Sequence, residues 1–349
     1  VPPIESHKER KLPMRNRFDA LRLLFAALVF VYHISVLSVT GPAPLQAVLA
    51  RLAELSIEGF FIISGFLVFG SLERSHSLRH YAEKRIRRLY PAYFVVVMIP
   101  ALYVLFHGGA GREVAHYLAA NLVFLNFLHP TLPGLFADNP VPVVNGALWT
   151  LKIEVMFYMV LPVLGLILAK AGRGKWAVLV LLYIGAEIWR AVVPELHISH
   201  AAQIARQLPG QMSFFAVGMG LYLLGDRIVP YSGRLVLAGL VLTGLSIMPG
   251  LVFIRAVGLG ALVFALAYGP GPGMNAARFG DFSYGLYIVH FPIINALVAA
   301  GLFAPPSWRG WLLAPVLVLF ASALMWHVVE KPFLARSSHY RRAAQERGG

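Results

Sequence analysis

Apolar residues along this chain are gathered into long runs separated by short polar stretches. The runs lie near 18–40, 52–72, 89–106, 117–128, 147–169, 176–193, 211–224, 235–248, 251–268, 282–303 and 311–329. Most are long enough to predict a membrane-crossing helix. The fourth is shorter than the ~20 residues that a full crossing needs, so it is expected to be short, tilted or re-entrant. The pattern predicts an all-α integral membrane protein of about ten transmembrane helices plus that short one. Residues 18–333 then form one transmembrane domain between a basic tail at 1–17 and another at 334–349. The first run is long and follows a basic stretch, so it reads as a span and not as a cleaved signal peptide. No repeat of fixed period and no soluble catalytic module is visible.

Composition agrees with the pattern. Only 13% of the 349 residues are charged and 58% are hydrophobic, with a mean hydropathy of +0.69. Soluble domains carry about 25% charged residues. Cysteine is absent, which excludes disulfides, thiolate chemistry and Cys-based zinc sites. The net charge of +14 would suit nucleic acid, but its placement follows topology. With the N-terminus cytoplasmic and the fourth run not crossing, 22 Lys/Arg fall in cytoplasmic segments and four (Arg51, Arg112, Arg206 and Arg309) in external ones. This is the positive-inside asymmetry. It places both termini in the cytoplasm, and anionic lipid, not nucleic acid, accounts for the basic charge.

Within the first run, Arg22 and His33 are eleven residues apart with nothing charged between them. Three helical turns put them on one face, roughly 16 Å apart along the axis. An ionisable residue inside a membrane is costly and is a functional candidate, although a histidine of this kind also serves simple packing against a neighbouring helix. The second run carries Glu58 at a comparable depth. A carboxylate beside an imidazole fixes its tautomer and raises its basicity; the alternative is a structural acid bonded to backbone or to Arg51. Arg85 and Arg88 share a face at the cytoplasmic start of the third run, where they suit phosphate groups or plain topological anchoring. In the fifth run Glu154 and Tyr158 share a face. The loop before it, 129–146, is rich in Pro, Asn and Gly, and reads as a lid or part of an acceptor cleft. Ser283, Tyr287 and His290 form a polar stripe on the tenth run, either interhelical glue or a cavity lining. Glu330-Lys-Pro332 reads as a boundary signal.

Six of these stretches in order resemble the membrane acyltransferase-3 family: Arg22 with His33, Glu58-Gly-Phe-Phe-Ile-Ile-Ser-Gly-Phe66, Arg85-Ile-Arg-Arg-Leu-Tyr-Pro91, Leu148-Trp-Thr-Leu-Lys-Ile-Glu154-Val-Met-Phe-Tyr158, Phe282-Ser-Tyr-Gly-Leu-Tyr-Ile-Val-His290 and Glu330-Lys-Pro332. The resemblance spans Asp19 to Pro332, with Glu58 standing where the family often has Asp and Lys152 where it often has Ser. It implies transfer of an acyl group, usually acetyl from acetyl-CoA, to a carbohydrate or other hydroxyl acceptor, and an essential arginine and histidine in the first helix. The expected site is His33, Glu58 and Glu154 as catalytic residues. Arg22, Arg85, Arg88, Tyr158, Tyr287 and His290 are expected to contact substrate. No metal is expected. His33 would act as general base or transient acyl carrier, with Glu58 or Glu154 orienting it. The expected partners are acyl-CoA, a hydroxyl acceptor on a cell-surface or exopolysaccharide sugar or its lipid-linked precursor, and the bilayer of a bacterial inner membrane. A small-molecule acceptor such as a macrolide and a non-enzymatic transporter are the other readings carried.

Overall fold

A computed structural model of the chain describes residues 16–270, 280–305 and 307–334. The two basic tails expected at 1–17 and 334–349 lie outside the described residues except for Asn16, Arg17 and Leu334. Among the described residues there is no strand. The helices are α1 (Phe18–Leu37), α2 (Ala43–Glu73), α3 (Leu78–Phe106), α4 (Gly111–Asn121), α5 (Trp149–Ala171), α6 (Lys175–Val192), α7 (Ala201–Ala205), α8 (Leu208–Leu224), α9 (Ser232–Leu245), α10 (Arg255–Tyr268), α11 (Phe282–Ala299) and α12 (Trp308–Leu324). The last of these widens into a π-helical stretch over Met325–Glu330.

Seven helical segments are long and apolar enough to cross a membrane, and one of them, Gly146–Leu196, contains both α5 and α6. Two shorter apolar segments, Val229–Leu245 and Val252–Tyr268, carry α9 and α10. Large apolar side chains stay exposed on these helices, among them Phe106, Leu181, Leu237 and Phe320. In water such surface would be a liability; against hydrocarbon it has no cost.

Several helices depart from the hydropathy runs. α2 begins at Ala43, ahead of the run at 52, and Arg51 pairs with Glu54 at 2.9 Å across one helical turn near the run's start. α3 absorbs the whole basic stretch from Arg79 to Arg88 and carries Pro91 and Pro100 inside it. The fourth run is helical only to Asn121, whose side chain turns back to donate to the Tyr117 and His129 carbonyls. Phe124 then adopts a left-handed conformation with φ 64°, which ends any continuation.

The chain divides into two compact units. The first takes residues 1–21, 57–81 and 153–275, and the second takes 22–56, 82–152 and 276–349. In the first unit, α2 and α8 meet backbone to backbone. A Cβ at Gly65 would collide with the Phe215 carbonyl, and one at Gly218 with the Ile62 carbonyl. Small residues permit this approach where no hydrophobic drive from water exists. Phe157 stacks on Phe215 beside that contact at 3.8 Å. In the second unit, α11 packs on α12, and the Trp311 indole donates to Thr40 at the end of α1, 3.2 Å away.

Candidate functional site

Within the second unit, α1 and α11 touch at two levels. Arg22 reaches Asp281 at 3.0 Å, and eleven residues further His33 reaches His290 at 2.9 Å. From Asp281 to His290 is nine residues, so both pairs of anchors span a similar rise. The two helices therefore run side by side in the same direction.

At the deeper level the bond joins His33 Nδ1 to His290 Nε2. The other nitrogen of His290, Nδ1, lies 3.1 Å from the Leu286 carbonyl one turn back. A carbonyl only accepts, so His290 Nδ1 carries a proton and the neutral ring presents a lone pair at Nε2. His33 must then donate from Nδ1, which leaves its own lone pair on Nε2. His290 is fully buried, whereas His33 is half-buried. The less buried ring is thus the one whose lone pair sits at Nε2, and the fully buried ring fixes its tautomer. Phe30 and Phe291 edge the pair at 6.1 and 5.2 Å. The Tyr287 ring meets His290 edge to face at 5.9 Å, and its hydroxyl bonds Thr150 at the start of α5, 2.8 Å away. Thr150 was not singled out in the sequence, since a threonine in an apolar run gives no signal of its own.

At the other level four charges interlock. Asp281 caps α11 by accepting from the Ser283 backbone amide at 3.2 Å and from the Ser283 hydroxyl. Its Oδ2 takes both Arg22 and Arg88, and Arg88 also bonds Glu330 at 2.9 Å. Arg88 stacks over the Tyr284 ring as well, at 5.5 Å. The carboxylates are almost fully buried, and the arginines keep 15–19% of their side chains exposed. Glu330 is therefore not the plain boundary signal its position suggested. It is a buried partner of Arg88, brought to α11 by the π-helical turn and by Gly285, where a Cβ would stand 3.5 Å from Glu330 Oε1. Asp281 also escaped the sequence reading, although Asp-Phe-Ser ahead of an apolar run is a helix-start signal. Arg85, one turn before Arg88, is half-buried.

The remaining expected residues lie in the first unit. Glu58 accepts from Arg255 at 3.0 Å and lies 3.8 Å from Arg190, which also pairs with Glu187 at 2.5 Å. This joins α2, α6 and α10. Glu154 accepts from the Ser64 hydroxyl at 2.6 Å, tying α5 to α2. The Tyr158 carbonyl accepts from the Tyr81 hydroxyl at 3.2 Å. Among the described residues no three metal-ligating side chains gather.

Residues 15–328 match the family model described as "Acyltransferase domain". The chain is 30% identical over 353 residues to nodulation protein 10 of Rhizobium leguminosarum bv. viciae, covering 91% of this chain and 93% of that one. It is 27% identical over 337 residues to the O-acetyl transferase of Shigella phage Sf6, covering 93% and 97%. It is 28% identical over 167 residues to peptidoglycan O-acetyltransferase OatA of Listeria monocytogenes, covering 44% of this chain and 24% of that protein. No solved structure matches the chain.

Proposed function

Since the chain belongs to this acyltransferase family, we propose that it moves an acyl group, acetyl in the simplest case, from acyl-CoA to a hydroxyl of a cell-surface sugar or its lipid-linked precursor. It does so as a ten-span protein of a bacterial inner membrane, with both termini cytoplasmic. What supports the acceptor class is the naming of relatives as an O-acetyl transferase and a peptidoglycan O-acetyltransferase.

The observation that carries the mechanism is the 2.9 Å bond from His33 to a His290 whose other nitrogen is occupied. His33 Nε2 takes the proton of the acceptor hydroxyl as the oxygen attacks the thioester carbonyl. The new C–O bond forms, the C–S bond breaks, and the proton passes from His33 to the departing CoA sulfur. His290 Nε2 holds the His33 Nδ1 proton throughout and stabilises the imidazolium that forms transiently. The exposed edges of Arg22 and Arg88, with Arg85 beside them, meet the phosphates of CoA, while the buried faces of Arg22 and Arg88 are held by Asp281 and Glu330. The pantetheine arm then follows the Arg22-to-His33 face of α1. Tyr287 and Tyr158 are supporting contacts. Glu58 and Glu154 fix α2 against α5, α6 and α10 within the first unit. The test is CoA release from acetyl-CoA by the purified chain in detergent. Turnover is expected, and its absence in a folded preparation would refute the donor assignment.

A further inference from the structure

The segment between α4 and α5 is irregular from 122 to 145, yet it is not loosely held. Asn121 bonds the His129 carbonyl at 2.9 Å, and the Val144 amide donates to Pro130 at 2.9 Å. Asn295 of α11 donates to the Val141 and Val143 carbonyls at 3.1 and 2.8 Å, and Asn139 returns a bond to the Asn295 carbonyl at 2.9 Å. Asn145 donates to the Ile288 carbonyl at 2.8 Å. Asn121, Asn145 and Asn295 are buried. Buried carboxamides that satisfy so much loop backbone make a rigid strap, and long ordered loops without secondary structure are usually functional.

The strap and the start of α4 line an open surface cleft of about 440 Å³, within the range of small-ligand sites. Its polar lining is Glu113, His116, His129 and Thr131, and Pro133 and Pro142 are among its apolar walls. The two imidazole rings face each other at 5.5 Å. Among the described residues that line it there is no lysine or arginine. A polyanion such as CoA is therefore disfavoured here. Mixed acceptors and donors beside Leu135, Pro133 and Pro142 fit a neutral, hydroxyl-rich molecule. Beyond the cleft the strap is fixed to α11 beside the histidine pair. Asn145 is bonded two residues before His290, and Gly146 abuts Phe291, whose ring edges His33.

We infer that this cleft is the acceptor site and that it takes a neutral sugar, presenting a hydroxyl toward His33; the inference rests on the acyl-transfer reading above. The absence of cysteine from the chain gives a direct test. Single cysteines are placed at Thr131→Cys and His116→Cys in the cleft, and at Ala202→Cys as an exposed control in the first unit. Each is labelled with a maleimide in the full chain in detergent, with and without N,N′-diacetylchitobiose or maltose. At sugar concentrations about ten times Kd, labelling at 131 and 116 should slow by about tenfold while that at 202 is unchanged. Protection by neither sugar, equal protection at 202, or protection at 131 by acetyl-CoA alone would overturn the assignment. Labelling needs no turnover, so this outcome is independent of acetyl-CoA cleavage by the parent chain, which tests the acyl-transfer reading itself.

Discussion

His33 Nδ1 and His290 Nε2 lie 2.9 Å apart, joining helices whose two residues are 257 positions apart in the chain. Since His290 Nδ1 is held by its own helix, the bond has one direction, and the basic nitrogen of the pair is Nε2 of the half-buried ring.

On the proposed mechanism His290 is a positioning residue. His290→Ala should lower the transfer rate by about 10²-fold with the KM for acyl-CoA little changed, because the tautomer and the imidazolium are no longer held. His290→Gln, which offers an acceptor oxygen to His33 Nδ1, should recover part of that loss. Steady-state kinetics of both variants, on monodisperse protein, distinguishes this from a packing role. A packing role would reduce the yield of folded protein and leave the rate per molecule intact.

Arg22 and Arg88 should fail differently. Arg22→Ala leaves Asp281 still paired with Arg88, so the protein should fold and bind acyl-CoA about tenfold more weakly, the scale of one charge-assisted hydrogen bond at ~1.5–3 kcal/mol. Arg22→Lys should rescue only in part, lacking the planar fork. Arg88→Ala strands buried Glu330 and should cost about 3 kcal/mol of stability. Arg85→Ala should weaken CoA affinity slightly. Calorimetry for binding and thermal melts for stability separate the three.

Glu58 and Arg255 form a buried pair at 3.0 Å. Removing either charge alone should destabilise the protein by about 3–5 kcal/mol, whereas Glu58→Leu with Arg255→Leu should recover most of the loss. A double-mutant cycle on melting temperature checks this. Equal and additive losses would show that the two side chains act independently.

The hydropathy pattern made most helices legible because a membrane helix advertises itself residue by residue. The α9 and α10 helices, each short by the length needed for a span, were legible too. The eleven-residue spacing of Arg22 and His33 put them on one face of α1, and the period of Ser283, Tyr287 and His290 put those on one face of α11. What periodicity could not state is which faces meet. It singled out His33 and His290 on separate helices without pairing them, and the structure bonds His33 Nδ1 to His290 Nε2 at 2.9 Å. Glu330 was unreadable for a second reason. The π-helical turn that carries it inward breaks the register on which face assignments depend. The strap at 129–146 could be recognised as a loop of consequence from its Pro, Asn and Gly, but its rigidity resides in Asn121 and Asn295, on helices either side of it.

The topology is testable on its own. With ten crossings, a reporter fused after Gly349 and one inserted between α5 and α6 should both be cytoplasmic, while one inserted near Arg206 should be external. An external reporter between α5 and α6 would mean that the short fourth run crosses.

The measurement that bears most directly on the mechanism is made on monodisperse His33→Ala, with CoA affinity and acyl-transfer rate determined side by side with the parent. On the proposed mechanism the imidazole contacts the reacting hydroxyl and not the phosphates, so CoA affinity should be unchanged while transfer falls by about 10²–10⁴-fold. A folded His33→Ala protein that transfers acyl groups at the parent rate would contradict the assignment of His33 as the base.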